Sequence, residues 1–124
     1  MTAAKRRRAW LRGRRGEGLA VAWLRFKGYR VVARNLRSGA GEIDLIARRG
    51  GVLAMVEVKT RGDLARAQEA LSPRQRRRIV RAAEAFLQQR PDLARLSVRF
   101  DVILVAPGRL PRHLMDAWRP DHGS

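Results

Sequence analysis

Two runs of alternating side chains meet at a pair of glycines, and their alignment constrains the fold more than any other feature of the chain. Residues 42–47 (Glu-Ile-Asp-Leu-Ile-Ala) and 52–59 (Val-Leu-Ala-Met-Val-Glu-Val-Lys) read as strands, joined by Arg48-Arg49-Gly50-Gly51. Gly-Gly suits the positive φ of a tight hairpin turn. With Gly50-Gly51 as the loop, Arg49 faces Val52 and the numbers of every facing pair sum to 101, a register that a four-residue loop would share. Asp44 then stands opposite Glu57, and Glu42 opposite Lys59. Facing residues, and residues two apart in one strand, point to the same side of a sheet. Glu42, Asp44, Glu57 and Lys59 therefore share one face, and Ile43, Leu45, Val56 and Val58 share the other.

Three acids and a lysine on a half-buried sheet require compensation. Facing carboxylates repel, and burying them is costly without a proton or a cation. Mg²⁺ or Mn²⁺ fits best, because such ions take carboxylates, backbone carbonyls and waters. Asp44 and Glu57 are the candidate ligands, with the Val58 carbonyl between Glu57 and Lys59 as a third. A bound cation lowers the pKa of a coordinated water and polarises a phosphoryl oxygen. Lys59 is placed to orient the attacking water and to neutralise charge building on phosphorus. Only three of the 28 basic residues are lysines, which favours a compact point charge over a planar fork at this position. The competing reading is a solvated hairpin face with a Glu42–Lys59 ion pair. Against it, Asp is disfavoured inside strands and a facing Asp44–Glu57 pair weakens a sheet.

Composition narrows the partners. Twenty-eight basic residues face eleven acidic ones, a net charge of +17. Self-repulsion on that scale points to a polyanionic partner, nucleic acid first. An anionic membrane is disfavoured because no helix pairs a basic face with large exposed aromatics. Aromatics are 6% of the chain and most are expected to serve the core, so sequence-specific reading of single strands by stacking is not expected. With no cysteine and two histidines, thiolate and multi-histidine metal sites are excluded, and a reducing cytoplasm suits the chain. No apolar stretch reaches the roughly 20 residues that cross a bilayer.

The 124 residues suit one domain. Residues 1–15, with seven basic residues and no acid, read as a basic arm, residues 16–118 as the domain, and 119–124 as a tail. A first helix carries the apolar stripe Leu19, Ala22, Trp23 and Phe26, and Gly28 stops it. Residues 29–33 read as a short strand, 35–41 as a turn and 60–71 as a loop. Ser72-Pro73-Arg74-Gln75 reads as N-cap, N1 and a capping box opening a helix to about residue 89. Its apolar stripe is Ile79, Ala82, Ala83, Phe86 and Leu87. Residues 97–106 form a hydrophobic strand, and 113–118 a short last strand. The order predicts one mixed sheet with helices packed on it.

The hairpin motifs, Gly41-Glu42-Ile43-Asp44-Leu45-Ile46 and Val56-Glu57-Val58-Lys59-Thr60-Arg61, resemble the D…ExK signature of the PD-(D/E)xK restriction-endonuclease-like superfamily. With Gly16-Glu17, Ala20, Gly28-Tyr29, Arg34-Asn35 and Arg99-Phe100-Asp101-Val102 in order, the chain resembles the YraN family, small proteins similar to archaeal Holliday-junction resolvases. The resemblance spans roughly residues 10–118. It implies a three-layer α/β/α fold with a central mixed sheet, metal-ligand roles for Asp44 and Glu57, and a catalytic role for Lys59. It also implies that Glu17 is an accessory acid reaching the site from the first helix.

Gln75 stands where relatives often carry lysine, and capping alone explains it. Glu42 is expected to pair with Lys59 or Arg61, Asp101 to bond a neighbouring Arg, and His113 to be an ordinary edge or surface residue. Arg34, Arg37 and Arg61 flank the acidic face, and Arg74, Arg77, Arg78 and Arg81 line a helix; all are expected to grip phosphates without reading bases. The expectation is a metal-dependent nuclease acting on DNA, branched or otherwise structured. The alternative is a non-catalytic nucleic-acid-binding module of the same fold. An Arg-rich RNA or ribosome-associated factor would explain the charge but not the acidic hairpin. Junction-cutting relatives admit a homodimer, although the sequence carries no self-complementary patch.

Overall fold

A computed structural model describes Thr2 and residues 15–39, 41–59 and 71–120. Nearly all of the basic arm, the loop over 60–70 with Arg61, and the end of the tail lie outside the described residues. Among those described, helix α1 (Arg15–Phe26) precedes strands β1 (Arg30–Ser38), β2 (Gly41–Arg49) and β3 (Val52–Lys59). Helix α2 (Pro73–Gln89), the short α3 (Pro91–Ala94), and strands β4 (Ser97–Leu104) and β5 (Arg112–Trp118) follow. The five strands lie side by side in chain order. Only β3 and β4 run parallel, because α2 and α3 carry the chain back across the sheet between them. The fold is α/β, a mixed five-stranded sheet between two helical layers, as in restriction-endonuclease-like proteins. No helix among the described residues is long and apolar enough to cross a membrane.

Each face of the sheet buries its own core. On one, Ile46, Met55, Phe100 and Val102 pack against Ile79, Ala82 and Ala83 of α2 and Leu93 of α3. On the other, Leu45, Ala54, Val56, Val58 and Ile103 pack against Ala20, Val21 and Leu24 of α1. The α2 stripe therefore stands where its periodicity puts it. The α1 stripe does not: Ala22 and Phe26 are exposed, and Leu19 and Trp23 only half-buried. Residues 17, 20, 21 and 24 repeat with the same helical spacing. Their small Ala20 and Val21 let the helix lie close to the sheet, so this second stripe takes the core.

Gly28, at φ 90, ends α1 as expected. Its N–H donates to the Arg25 carbonyl and that of Tyr29 to Leu24, a Schellman pair of bonds that satisfies the last turn. Strand β1 runs to Ser38, past the turn expected from residue 35. Asn35 reads as a turn residue because it adopts φ 50, but it does so inside the strand and bends it without ending it. At the start of α2 the Ser72 hydroxyl accepts the Gln75 N–H at 3.1 Å, the N-cap bond that the sequence predicts.

One glycine fixes how closely α2 can approach β2. A Cβ on Gly41 would overlap the backbone carbonyl of Arg78. Gly41→Ala is therefore expected to lower stability by about 1–3 kcal/mol in urea denaturation. Gly18→Ala, which adds its Cβ in open space within α1, is expected to raise stability by about 0.5–1 kcal/mol. Equal effects of the two substitutions would refute the close-approach argument.

Candidate active site

The hairpin register is the expected one: Arg49 pairs with Val52 and Leu45 with Val56, every pair summing to 101. Paired positions end at Leu45 and Val56, just before the acids. There the Asp44 Oδ2 accepts the backbone N–H of Val58 at 2.8 Å. Odd-numbered residues of β3 bond to β4, since Ser97 N–H donates to Gly51 and Val105 N–H to Lys59. Val58 consequently directs its N–H and carbonyl toward β2, where a carboxylate has replaced the strand partner. The interruption also corrects the expected apolar face. Ile43 leaves Leu45, Val56 and Val58 and joins the α2-side core, because regular alternation breaks at Asp44. Asn35, with its positive φ, lies across from that break.

Asp44 and Glu57 lie one step beyond the last paired positions, close enough for their charges to interact. Burial, then the Asp44 charge and hydrogen bond, push the Glu57 carboxyl up to about 9. Lys59 Nζ, 3.9 Å from Glu57 Oε1, works the other way. All three residues are half-buried. A carboxyl pushed this far above its usual range marks a site short of positive charge. Among the described residues no three His, Cys, Asp or Glu side chains gather to hold an ion by themselves. The donors that fit a hard cation are the two carboxylates and the Val58 carbonyl, leaving remaining positions to water or phosphate oxygen.

Glu42 does not pair with Lys59. Its nearest cation is Arg37 of β1, at 3.8 Å in an exposed contact, because Arg37 faces it across the β1–β2 ladder. Glu42 and Glu57 line a cleft of about 240 Å³ with Ser72, Arg74, Gln75 and Arg78 at the start of α2. Gln75 thus caps its helix and also walls the cleft. Arg77 and Arg81 line a separate groove of about 350 Å³ with Trp118 and Arg119. The four helical arginines are accordingly split between two surfaces, two facing the carboxylates.

Glu17 is buried on the α1 side, and both its oxygens are engaged. Arg34 Nε donates to Oε1 at 2.8 Å and Asn35 Nδ2 to Oε2 at 2.7 Å. Glu17 is thus tied to the flank of the site through Asn35, the residue across from Asp44. Asn35 is a site-supporting residue that turn chemistry concealed. The Arg-Asn motif was its only signal.

Asp101 is fully buried and bonds a neighbouring Arg as expected. Arg99 Nε and Nη2 donate to its two oxygens at 2.8 Å, and the Asp116 N–H donates at 3.0 Å. His113 stands on the edge strand β5 as expected, but it is no ordinary surface residue: its side chain is buried, with Nε2 2.7 Å from Asp101. The imidazole is drawn inward because its other nitrogen lies 2.7 Å from Lys27 Nζ at the end of α1. Burial works to raise the Asp101 carboxyl, but hydrogen bonds from His113, Arg99 and Asp116 hold it below its usual range.

Two measurements follow. In the ion-free protein Glu57 keeps its proton up to about pH 9, against a usual value of 4.5. Between those limits the folded state binds the extra proton, so stability falls as pH rises. Glu57→Gln is expected to stabilise the ion-free protein by about 1–2 kcal/mol near pH 8 and negligibly at pH 4; a gain independent of pH would contradict the shift. Asp101 has the opposite sign: its contribution is present above the usual carboxylate range and disappears as acid reaches its lowered folded-state value. Asp101→Asn strands Arg99 and should cost about 3–5 kcal/mol in urea titration at pH 7. A cost under about 1 kcal/mol would show the network to be dispensable.

The comparisons with known proteins agree with this architecture. Residues 16–105 match the model of the family described as uncharacterised protein family UPF0102. A UPF0102 protein of Paramagnetospirillum magneticum is 60% identical over 114 residues, covering 89% of this chain and 88% of the relative. One of Parvibaculum lavamentivorans is 60% identical over 112 residues, covering 90% and 84%. A third, of Maricaulis maris, is 51% identical over 120 residues, covering 97% and 94%. On these matches, and on the motifs that order its strands, the chain belongs to the UPF0102 (YraN) family.

Proposed function

We propose that the protein is a metal-dependent nuclease that hydrolyses phosphodiester bonds in DNA, in branched or otherwise structured form. The observation that carries the reading is the contact between the Asp44 and Glu57 carboxyls beside Lys59, at the point where β2 and β3 stop pairing. A protein selected only to grip polyanions gains nothing from paired acids next to its cleft, since they repel phosphate.

Asp44, Glu57 and the Val58 carbonyl would hold Mg²⁺ or Mn²⁺. When bound, such a cation supplies a more acidic water and withdraws charge from a phosphoryl oxygen. The remaining work belongs to side chains. The Val58 N–H holds Asp44 Oδ2 in place, so that carboxylate needs little reorganisation. Lys59, paired only at 3.9 Å, is free to turn toward the attacking water or the charge developing on phosphorus. Arg74 and Arg78 line the cleft and fit the flanking phosphates. Glu17, already bonded to Arg34 and Asn35, acts by positioning the β1–β2 flank.

The deciding assay incubates the full chain with branched, nicked and single-stranded DNA and with RNA, in Mg²⁺ or Mn²⁺, beside Lys59→Ala. Lys59→Ala is expected to reduce cleavage by about 10²–10³-fold while leaving DNA binding within twofold. Binding without cleavage of any substrate under either metal would replace this reading with the non-catalytic binding module.

A further inference from the structure

The α1 stripe that the core leaves outside forms one wall of a groove. Trp23 and Phe26 lie with ring centroids 5.7 Å apart and planes 24° apart, and Phe26 is 81% exposed. Trp23 lines a groove of about 530 Å³ with Arg109, Leu110 and Arg112 from the connection between β4 and β5. Leu110 is 77% exposed. Among the described residues, neither Arg109 nor Arg112 pairs with an acid. Trp23 with Phe26 stacked beside it, an aliphatic lip at Leu110 and two unneutralised guanidinium groups thus border a space of nucleotide size.

Its position matters as much as its lining. The groove includes Leu104 and Val105. Leu104 pairs with Lys59 across the parallel ladder, and the Val105 N–H donates to the Lys59 carbonyl at 2.9 Å. It therefore opens one strand from Lys59, on the α1 face, while the carboxylate cleft opens toward α2. The two surfaces thus lie on opposite faces of the sheet, and a strand leaving a duplex in the cleft is what would join them.

We propose that this groove binds an unpaired nucleotide, its base against Trp23 and Phe26 and its phosphate on Arg109 and Arg112. The preferred substrate then carries a single-stranded stretch beside the duplex. The inference rests on the nucleic-acid reading above and extends it by assigning a second contact surface. Charge complementarity decides the occupant. A second copy would set arginine against arginine, and a lipid surface resting on Phe26 and Leu110 would leave the groove behind them unfilled. Stacking on aromatic faces tolerates any base, so the contact selects for being unpaired and not for sequence.

Fluorescence anisotropy of labelled oligo-dT and of a blunt duplex tests the assignment. Phe26→Ala, at an exposed position, is expected to weaken oligo-dT binding about tenfold and to change duplex binding less than twofold. Trp23→Phe should retain most of the affinity. Arg109→Gln and Arg112→Gln should each flatten the salt dependence of oligo-dT binding by about one unit of slope. Equal losses on both probes, or none on oligo-dT, would overturn the proposal while leaving the nuclease reading intact. So would a shift in sedimentation mass on Phe26→Ala, or its loss of binding to phosphatidylserine vesicles, which would reassign the surface to self-association or to lipid. Wild-type protein that bound neither nucleic-acid probe would instead remove the nucleic-acid reading itself.

Discussion

The bond between the Asp44 carboxylate and the Val58 N–H is the constraint around which the rest is arranged. A strand partner would have neutralised that N–H with a carbonyl and carried the ladder onward. A carboxylate in its place stops the ladder, brings a negative charge between two strands and leaves the neighbouring carbonyl without its regular partner. Glu57 then has nowhere to direct its own charge and holds a proton instead. The strain is electrostatic, and a proton on Glu57 relieves it, as a divalent cation bound there would. Both cores, the Gly41–Arg78 contact and the Asn35 bend keep the strands from closing over the gap.

Much of this arrangement was legible in the residues. The two-residue turn and period-two alternation set the register, and the register alone brought Asp44 to Glu57. Ser72 and Pro73 marked the start of α2, and the stripe from Ile79 onward marked its buried side. What could not be read depended on partners distant in sequence. Residues 17, 20, 21 and 24 and residues 19, 22, 23 and 26 are equally good helical stripes. Only the sheet beneath, too close for Trp23 and Phe26, chooses between them. The same holds for His113, whose burial depends on Lys27 and Asp101. Ile43 misled for a different reason: alternation assumes an unbroken strand, and the functional feature is the break.

The basic residues divide in a way that net charge conceals. Arg34 and Arg99 are bonded to the buried Glu17 and Asp101, while Arg37 meets Glu42 in an exposed contact. Arg74 and Arg78 meet the carboxylate cleft, Arg77 and Arg81 a neighbouring groove, and Arg109 and Arg112 a surface on the opposite helical layer. Among the described residues these arginines are divided over separate surfaces and do not form a single stripe.

The bonds that close around Asp101 also bear on how the chain is made. Lys27 and His113 are 86 residues apart, and Tyr29 and Arg99 are 70 apart. Loop closure over such separations is slow, and a chain leaving the ribosome has α1 and the hairpin long before β5 exists. Until the last strand arrives, Asp101 has Arg99 but neither the imidazole nor the Asp116 N–H. The bonds around Asp101 can therefore close only once β5 has formed, long after the apolar side of α1 has met β2 and β3.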